Sequence, residues 1–235
     1  MKRLASRKGR KTMNKPEIDR QGIKTIYDSP YISLYDLQYS GGKHYLNASR
    51  RSRERLAAVK TEEEFKKMVP DAVSCVVIIK LPEEEPKLLL SKEFRYPVGQ
   101  FVLSVPAGLI DPEDVDSGTP VLTAAAREIE EETGLKIKEN DRLEVVNPLL
   151  FSTPGMTDES NAIVLAVINL GDLATLTQDG AVGMECFDGF SLLGKEEAEQ
   201  ILRGGYDNDG NFYSVFTWIA LVSFVSGLWD KEGSR

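Results

Sequence analysis

Between about Ile18 and Leu56, apolar and polar residues alternate with the period of two that half-buried strands require. The stretch IKTIYDSPYISLYDLQYSGGKHYLNASRR predicts three strands, with turns at Asp28-Ser29-Pro30 and Gly41-Gly42. Thr61 then stands before three glutamates, the signature of a helix start, so 61–68 is read as a short helix or linker. From Ala72 the pattern changes. AVSCVVIIK is an apolar, β-branched run, which marks a strand.

PKLLLSKEFRY, FVLSVPAG, RLEVVNPLLFST and NAIVLAVINL predict further strands. GTPVLTAAAREIEEETG predicts the clearest helix, with Thr119 as N-cap, Pro120 in the first turn and Gly134 as the stop. Residues 195–202 and 212–229 are also expected to be helical. The last segment approaches membrane-span length, but its serines, threonine and glycine read as a buried C-terminal helix, so no membrane partner is expected. Strands flanked by helices indicate an α/β sandwich. The organisation expected is a basic flexible tail over 1–15, a small antiparallel sheet over 16–60 and a main domain over 61–235.

Composition narrows the function classes. A net charge of −8 argues against a nucleic-acid partner. The tail holds Lys2, Arg3, Arg7, Lys8, Arg10, Lys11 and Lys15 with no acid, and it lacks the apolar core of a secretory signal. Cys75 and Cys186 sit in apolar stretches and read as buried free thiols in a reducing, cytoplasmic setting. His44, the one histidine, cannot form a zinc site alone and reads as a surface or packing residue.

The candidate chemistry lies in Arg127-Glu128-Ile129-Glu130-Glu131-Glu132. On a helix Glu128 and Glu132 are one turn apart on one face, and Glu131 shares much of it. Such like charges repel and also oppose the helix dipole near its C-terminus. A solvated acidic face is the ordinary explanation. The alternative is a cradle for Mg²⁺, a hard cation that takes carboxylate and carbonyl oxygens and shares its shell with phosphates.

REIEEETGL resembles the core of the Nudix box, G-x5-E-x7-R-E-U-x-E-E-x-G-U with U aliphatic. KEFRYPVGQFVLSVPAGLID, STPGMTDES and ECFDGFSL extend the resemblance to the ADP-ribose pyrophosphatase branch. The resemblance implies a Nudix α/β/α sandwich with a mixed sheet behind the small N-terminal sheet. It also implies Mg²⁺-dependent hydrolysis (Mn²⁺ as a substitute) of ADP-ribose to AMP and ribose 5-phosphate.

Carried over residue by residue, Glu128, Glu131, Glu132 and the carbonyl of Ala107 would hold metal. Gly108 would let the chain turn beside it, and Arg127 would aim a box glutamate, with Gly134 ending the helix. Glu131 also stands among the catalytic candidates. Glu185, with Glu159 as competitor, would activate water, and Arg95 would bind substrate phosphate. Tyr27, Tyr31 and Tyr35 would serve either as a stacking face for adenine or, by default, as sheet or dimer-interface residues. Members of this branch are usually homodimers that exchange the N-terminal sheet.

The chain departs from the pattern twice. Eighteen residues separate Gly108 from Arg127, against thirteen in the consensus. The first box glutamate then falls on Asp114 counting forward and on Thr119 counting back, and the extra residues are expected to lengthen the loop. Ser104 also replaces the glutamate of the branch's E-x-P-A-G. Two other readings stand beside the first: a hydrolase of another nucleoside diphosphate sugar, and a Nudix ligand sensor without turnover. Retention of all three box glutamates favours catalysis over the sensor.

Overall fold

The computed structural model describes residues 16–180 and 185–230, so the basic tail expected over 1–15 lies outside the described residues. The described residues divide into two compact units: 16–67 with 153–158, and 68–152 with 159–180 and 185–230.

The first unit holds an antiparallel sheet of β1 (Lys24–Tyr27), β2 (Ser33–Tyr39) and β3 (Lys43–Ser49), in the order β1-β2-β3. The predicted turns connect them. Ile23, Tyr35, Leu37, Leu56 and Val59 form its core. Tyr35 is therefore a packing residue, and its hydroxyl donates to the Arg51 carbonyl, whereas Tyr27 and Tyr31 are exposed. His44 is a surface residue bonded to Asp36 of β2. The short helix α1 (Glu62–Lys66) starts at Thr61, whose hydroxyl accepts from Glu64 N while the Glu64 carboxylate accepts from Thr61 N. Residues 153–158 complete this unit: Tyr45 donates to the Gly155 carbonyl, and Arg51 pairs with Asp158.

The second unit is built on a seven-stranded mixed sheet. Its elements in chain order are β4 (Ala72–Lys80), β5 (Lys87–Arg95), β6 (Gln100–Ser104), β7 (Ala107–Leu109), α2 (Pro112–Asp116), α3 (Pro120–Thr133), β8 (Arg142–Phe151), β9 (Ser160–Asn169), β10 (Phe187–Leu193), α4 (Lys195–Gly204) and α5 (Val215–Ser226). The path is β10-β5-β4-β9-β8, with β6 on β5 and β7 on β4. β4 and β9 run parallel and the other pairs are antiparallel. β4 and β9 are buried along nearly their whole length, which explains their unbroken apolar runs.

Each face of the sheet packs a helical layer. Val76, Ile78, Leu88, Leu90, Leu103 and Val105 pack with Ala198 and Ile201 of α4 and Ala220, Leu221 and Phe224 of α5. Val73, Cys75, Val77, Ile79 and Leu89 pack with Ala124, Ala125 and Ile129 of α3. α5 is twelve residues long, and no helix among the described residues is long and apolar enough to cross a membrane.

Three expectations change. Cys75 is buried, but Cys186 is exposed at the entry to the edge strand β10, where apolar neighbours in sequence do not cover it. Thr119 occupies the N-cap position of α3, but its side chain makes no capping bond; its backbone N–H is satisfied by Ser117 Oγ instead. The inserted residues before α3 form the helix α2, because Asp111 N is bonded by the Asp114 carboxylate and Pro112 suits a first turn.

Candidate functional site

The site lies where β4 and β5 part. β4 pairs with β5 through Val77–Ile79, whereas its beginning, Ala72–Ser74, pairs with β7. The end of β5 pairs instead with β6. The β6–β7 connection fills this split, and Pro106 anchors it by accepting from Cys75 N at 2.8 Å. Ala107 and Gly108 are thereby set against the flank of α3.

The acidic residues of α3 do not form a solvated face. Ala124, Ala125 and Ile129 bury the helix on the sheet, and this orientation carries Glu128 and Glu132 inward, 6% and 4% exposed. Glu131 stays partly exposed, and Glu130 points outward to Lys136. Glu128 lies over Gly108: a Cβ built there would stand 1.9 Å from Glu128 Oε1. The glycine is required by this close approach of a side chain. Gly134 ends the helix in the left-handed region, at φ 73°.

Arg127 gathers the cluster. Its guanidinium donates to Glu128 at 2.7 Å, Glu131 at 3.1 Å, Asp114 at 3.0 Å and the Leu109 carbonyl at 2.9 Å. Burial works against its charge, but the bonds to Asp114 and Glu128 outweigh this and hold its pKa above the ordinary value. Asp114, only 4% exposed, is where the forward count from Gly108 placed the first box carboxylate. The insertion thus returns a shorter acid to Arg127 from α2.

The buried carboxylates resist ionisation. Burial pushes Glu132 up to about 9; Glu93, Glu128 and Glu185 add repulsion, and the Ala107 N–H bond opposes it. Burial likewise pushes Glu128 up to about 7, against the pull of Arg127 and with repulsion from Glu131 and Glu185. Glu132 Oε1 accepts from Ala107 N at 3.2 Å, while its buried Oε2 has no hydrogen-bond partner among the described residues. Such an oxygen costs free energy unless something satisfies it.

A hard divalent cation fits this donor set: hard oxygen ligands, surplus negative charge and one buried oxygen without a partner. Among the described residues no three acids converge as a ready metal cage. Glu128 and Glu131 are both turned onto Arg127.

Glu185 belongs to this electrostatic neighbourhood, since its charge is felt by Glu93, Glu128 and Glu132. Glu159 stands immediately before β9, next to Ser160, which bonds to Asp71. Arg95 is half-exposed at the end of β5, with Nη2 2.7 Å from Glu93. Glu93 and Asp114 were missed in the sequence. The forward count touched Asp114 without an assigned role. The signal for Glu93 was a face of β5 that turns from Leu89 to Ser91, Glu93 and Arg95.

Comparison with known proteins agrees with this geometry. The NUDIX domain family profile matches residues 69–191. The chain is 31% identical over 234 residues to the ADP-ribose pyrophosphatase of Saccharomyces cerevisiae, covering 93% of each. It is 33% identical over 102 residues to the ADP-sugar pyrophosphatase of Mus musculus, covering 43% of each. A crystal structure of an ADP compounds hydrolase superposes with a TM-score of 0.50 at 17% identity, covering 93% of this chain and 98% of that one, which supports the fold. The split sheet, the α3 carboxylates over Gly108 and these matches together place the chain in the Nudix hydrolase family.

Proposed function

We propose that the chain hydrolyses ADP-ribose to AMP and ribose 5-phosphate with Mg²⁺. The observation that carries this reading is the buried pair Glu128 and Glu132 beside Ala107 and Gly108, with Glu132 Oε2 unsatisfied among the described residues. The full-length similarity to an ADP-ribose pyrophosphatase supports the substrate.

Glu128, Glu131, Glu132 and the Ala107 carbonyl would hold the metal, with Mn²⁺ as a substitute. When bound, Mg²⁺ supplies positive charge that screens the diphosphate and acidifies water. Arg95 donates paired hydrogen bonds to a phosphate, as a planar guanidinium does well. Glu185 accepts a proton from the attacking water, with Glu159 as the second candidate. The water oxygen joins one phosphorus as the bridging P–O bond breaks. Arg127 aims Glu128 and Glu131, while Gly108 and Gly134 shape the backbone at either end.

Exposed Ile26, Tyr27, Tyr31, Ile32, Tyr45 and Leu46 support a homodimer formed through the N-terminal sheet, which sedimentation would detect. The free thiols of Cys75 and Cys186 support a reducing, cytoplasmic setting.

The test is a panel of ADP-ribose and other nucleoside diphosphate sugars with Mg²⁺, on wild type and Glu132→Gln. ADP-ribose should be preferred, and the variant should lose on the order of a hundredfold in rate. Equal rates in both proteins would remove the metal assignment. A faster GDP-sugar would remove the substrate assignment alone.

A further inference from the structure

The chain lacks a glutamate at position 104, yet a carboxylate stands next to that position on the neighbouring strand. Along β5, Leu88 and Leu90 belong to the core under α4 and α5, and Leu89 to the core under α3. Strand alternation therefore turns Glu93 toward the α3 layer. Leu103 of β6 and Val105 just after it lie in the α4–α5 core, so Ser104 between them faces α3 as well. Glu93 pairs with Val102, which makes Ser104 its diagonal neighbour, and the Ser104 hydroxyl donates to the Glu93 carboxylate.

Two further neighbours tie Glu93 to the site. Three residues after Ser104, Ala107 N bonds Glu132. On the other edge of β5, Phe187 pairs with Glu93, and Glu185, two residues earlier, lies close enough for its charge to act on Glu93. Glu93 is 8% exposed, and Ser91 Oγ, one pleat away on the same face, is buried with no partner among the described residues. Glu93 is held by one half-exposed arginine and the Ser104 hydroxyl, and the desolvation of its burial outweighs both, so fold stability does not explain the residue.

We infer that Glu93 is a metal-binding carboxylate of this site, supplying from β5 the group that Ser104 withholds from β6. This rests on the metal-dependent reading above and adds a ligand to it. Burial raises the Glu93 pKa, with Arg95 and Ser104 opposing and Glu185 adding to the rise, as expected of an acid waiting on a counter-charge.

Titration of the substrate-free protein with Mn²⁺, followed by the electron paramagnetic resonance signal of the free ion, tests the inference without turnover. Glu93→Gln should weaken Mn²⁺ binding by on the order of tenfold or more. Adding Ser104→Glu to Glu93→Gln should recover most of that loss, because the carboxylate returns from the adjacent strand. Glu93→Asp, which keeps the charge but retracts it by one methylene, should weaken binding too and serves if Glu93→Gln is poorly folded.

Wild-type Mn²⁺ affinity in Glu93→Gln or Glu93→Asp would overturn the inference. So would failure of the folded double variant to regain affinity. If Glu93 only aimed Arg95, Glu93→Gln would raise KM and leave Mn²⁺ binding unchanged, which also overturns it. Glu132→Gln is the control: if it loses Mn²⁺ while Glu93→Gln does not, only this inference fails. If both bind as wild type, the metal site itself fails.

Discussion

Gly108→Ala isolates the contact on which the site is built. The new methyl would stand 1.9 Å from Glu128 Oε1, 2.1 Å from Cδ and 2.3 Å from Oε2, whereas ordinary contact begins near 3.4 Å. The carboxylate must retreat by about 1.5 Å, and a displacement of about 1 Å in a positioned group costs roughly a hundredfold. We expect kcat for ADP-ribose to fall by about a hundredfold, or about 2.7 kcal/mol of barrier. Stability should hardly follow. The clashing atoms end a flexible side chain, and Gly108 does not have a positive φ. Loss of the Arg127–Glu128 hydrogen bond, about 1–2 kcal/mol, is partly offset by the lower chain entropy of alanine, about 0.4–1 kcal/mol. The melting temperature should therefore move by less than about 5 °C. Initial rates of AMP release and a thermal melt of the same preparation make the measurement. A folded Gly108→Ala enzyme with wild-type kcat would refute the placement of Glu128 as a working ligand above Gly108.

Arg127→Ala strands Asp114 and Glu128 together and should cost about 3 kcal/mol, a drop of roughly 6–12 °C in melting temperature; a drop under about 2 °C would deny its central role. Glu128 and Glu132 keep protons in the folded chain where the unfolded chain has lost them. Their contribution to metal-free stability is thus full below the ordinary value of 4.5 and is lost as pH rises through about 7 and about 9. Mg²⁺ needs these groups ionised and cancels their repulsion, so saturating Mg²⁺ should raise the melting temperature more at about pH 8.5 than at about pH 6. An equal gain at both, or none, would count against the cluster as the metal site. In the native protein a thiol reagent should label Cys186 rapidly and Cys75 only on unfolding; two fast thiols would contradict the burial of Cys75.

Much of this architecture was legible because its signals are local. The run AVSCVVIIK could be read as a strand from its β-branched residues, and the α3 box could be read from spacing plus Gly134. What escaped were consequences of pairing between distant segments. The exposure of Cys186 depends on β10 lying at an edge, not on its apolar neighbours. The role of Asp114 depends on α2 folding back toward Arg127, so a count along the chain reached the residue without its partner. Glu93 belongs to the site only because β5 leaves β4 and pairs with β6 and β10. Burial of Glu128 and Glu132 also follows from packing, since helical spacing places acids on one face without saying which way that face turns.

The burial poses an electrostatic problem that the chain solves in two ways. Glu93, Asp114, Glu128, Glu131, Glu132 and Glu185 share one neighbourhood, and repulsion among carboxylates at such spacing opposes folding. Arg127 supplies one positive charge and divides it between Asp114, Glu128 and Glu131, which turns those oxygens toward itself. Glu132 instead favours its neutral form, with one oxygen on Ala107 N and the other without a hydrogen-bond partner among the described residues. A divalent ion offers more charge than the arginine can spread and can take the place of the Glu132 proton. The arrangement therefore leaves an unmet demand at Glu132 Oε2, beside the Ala107–Gly108 turn.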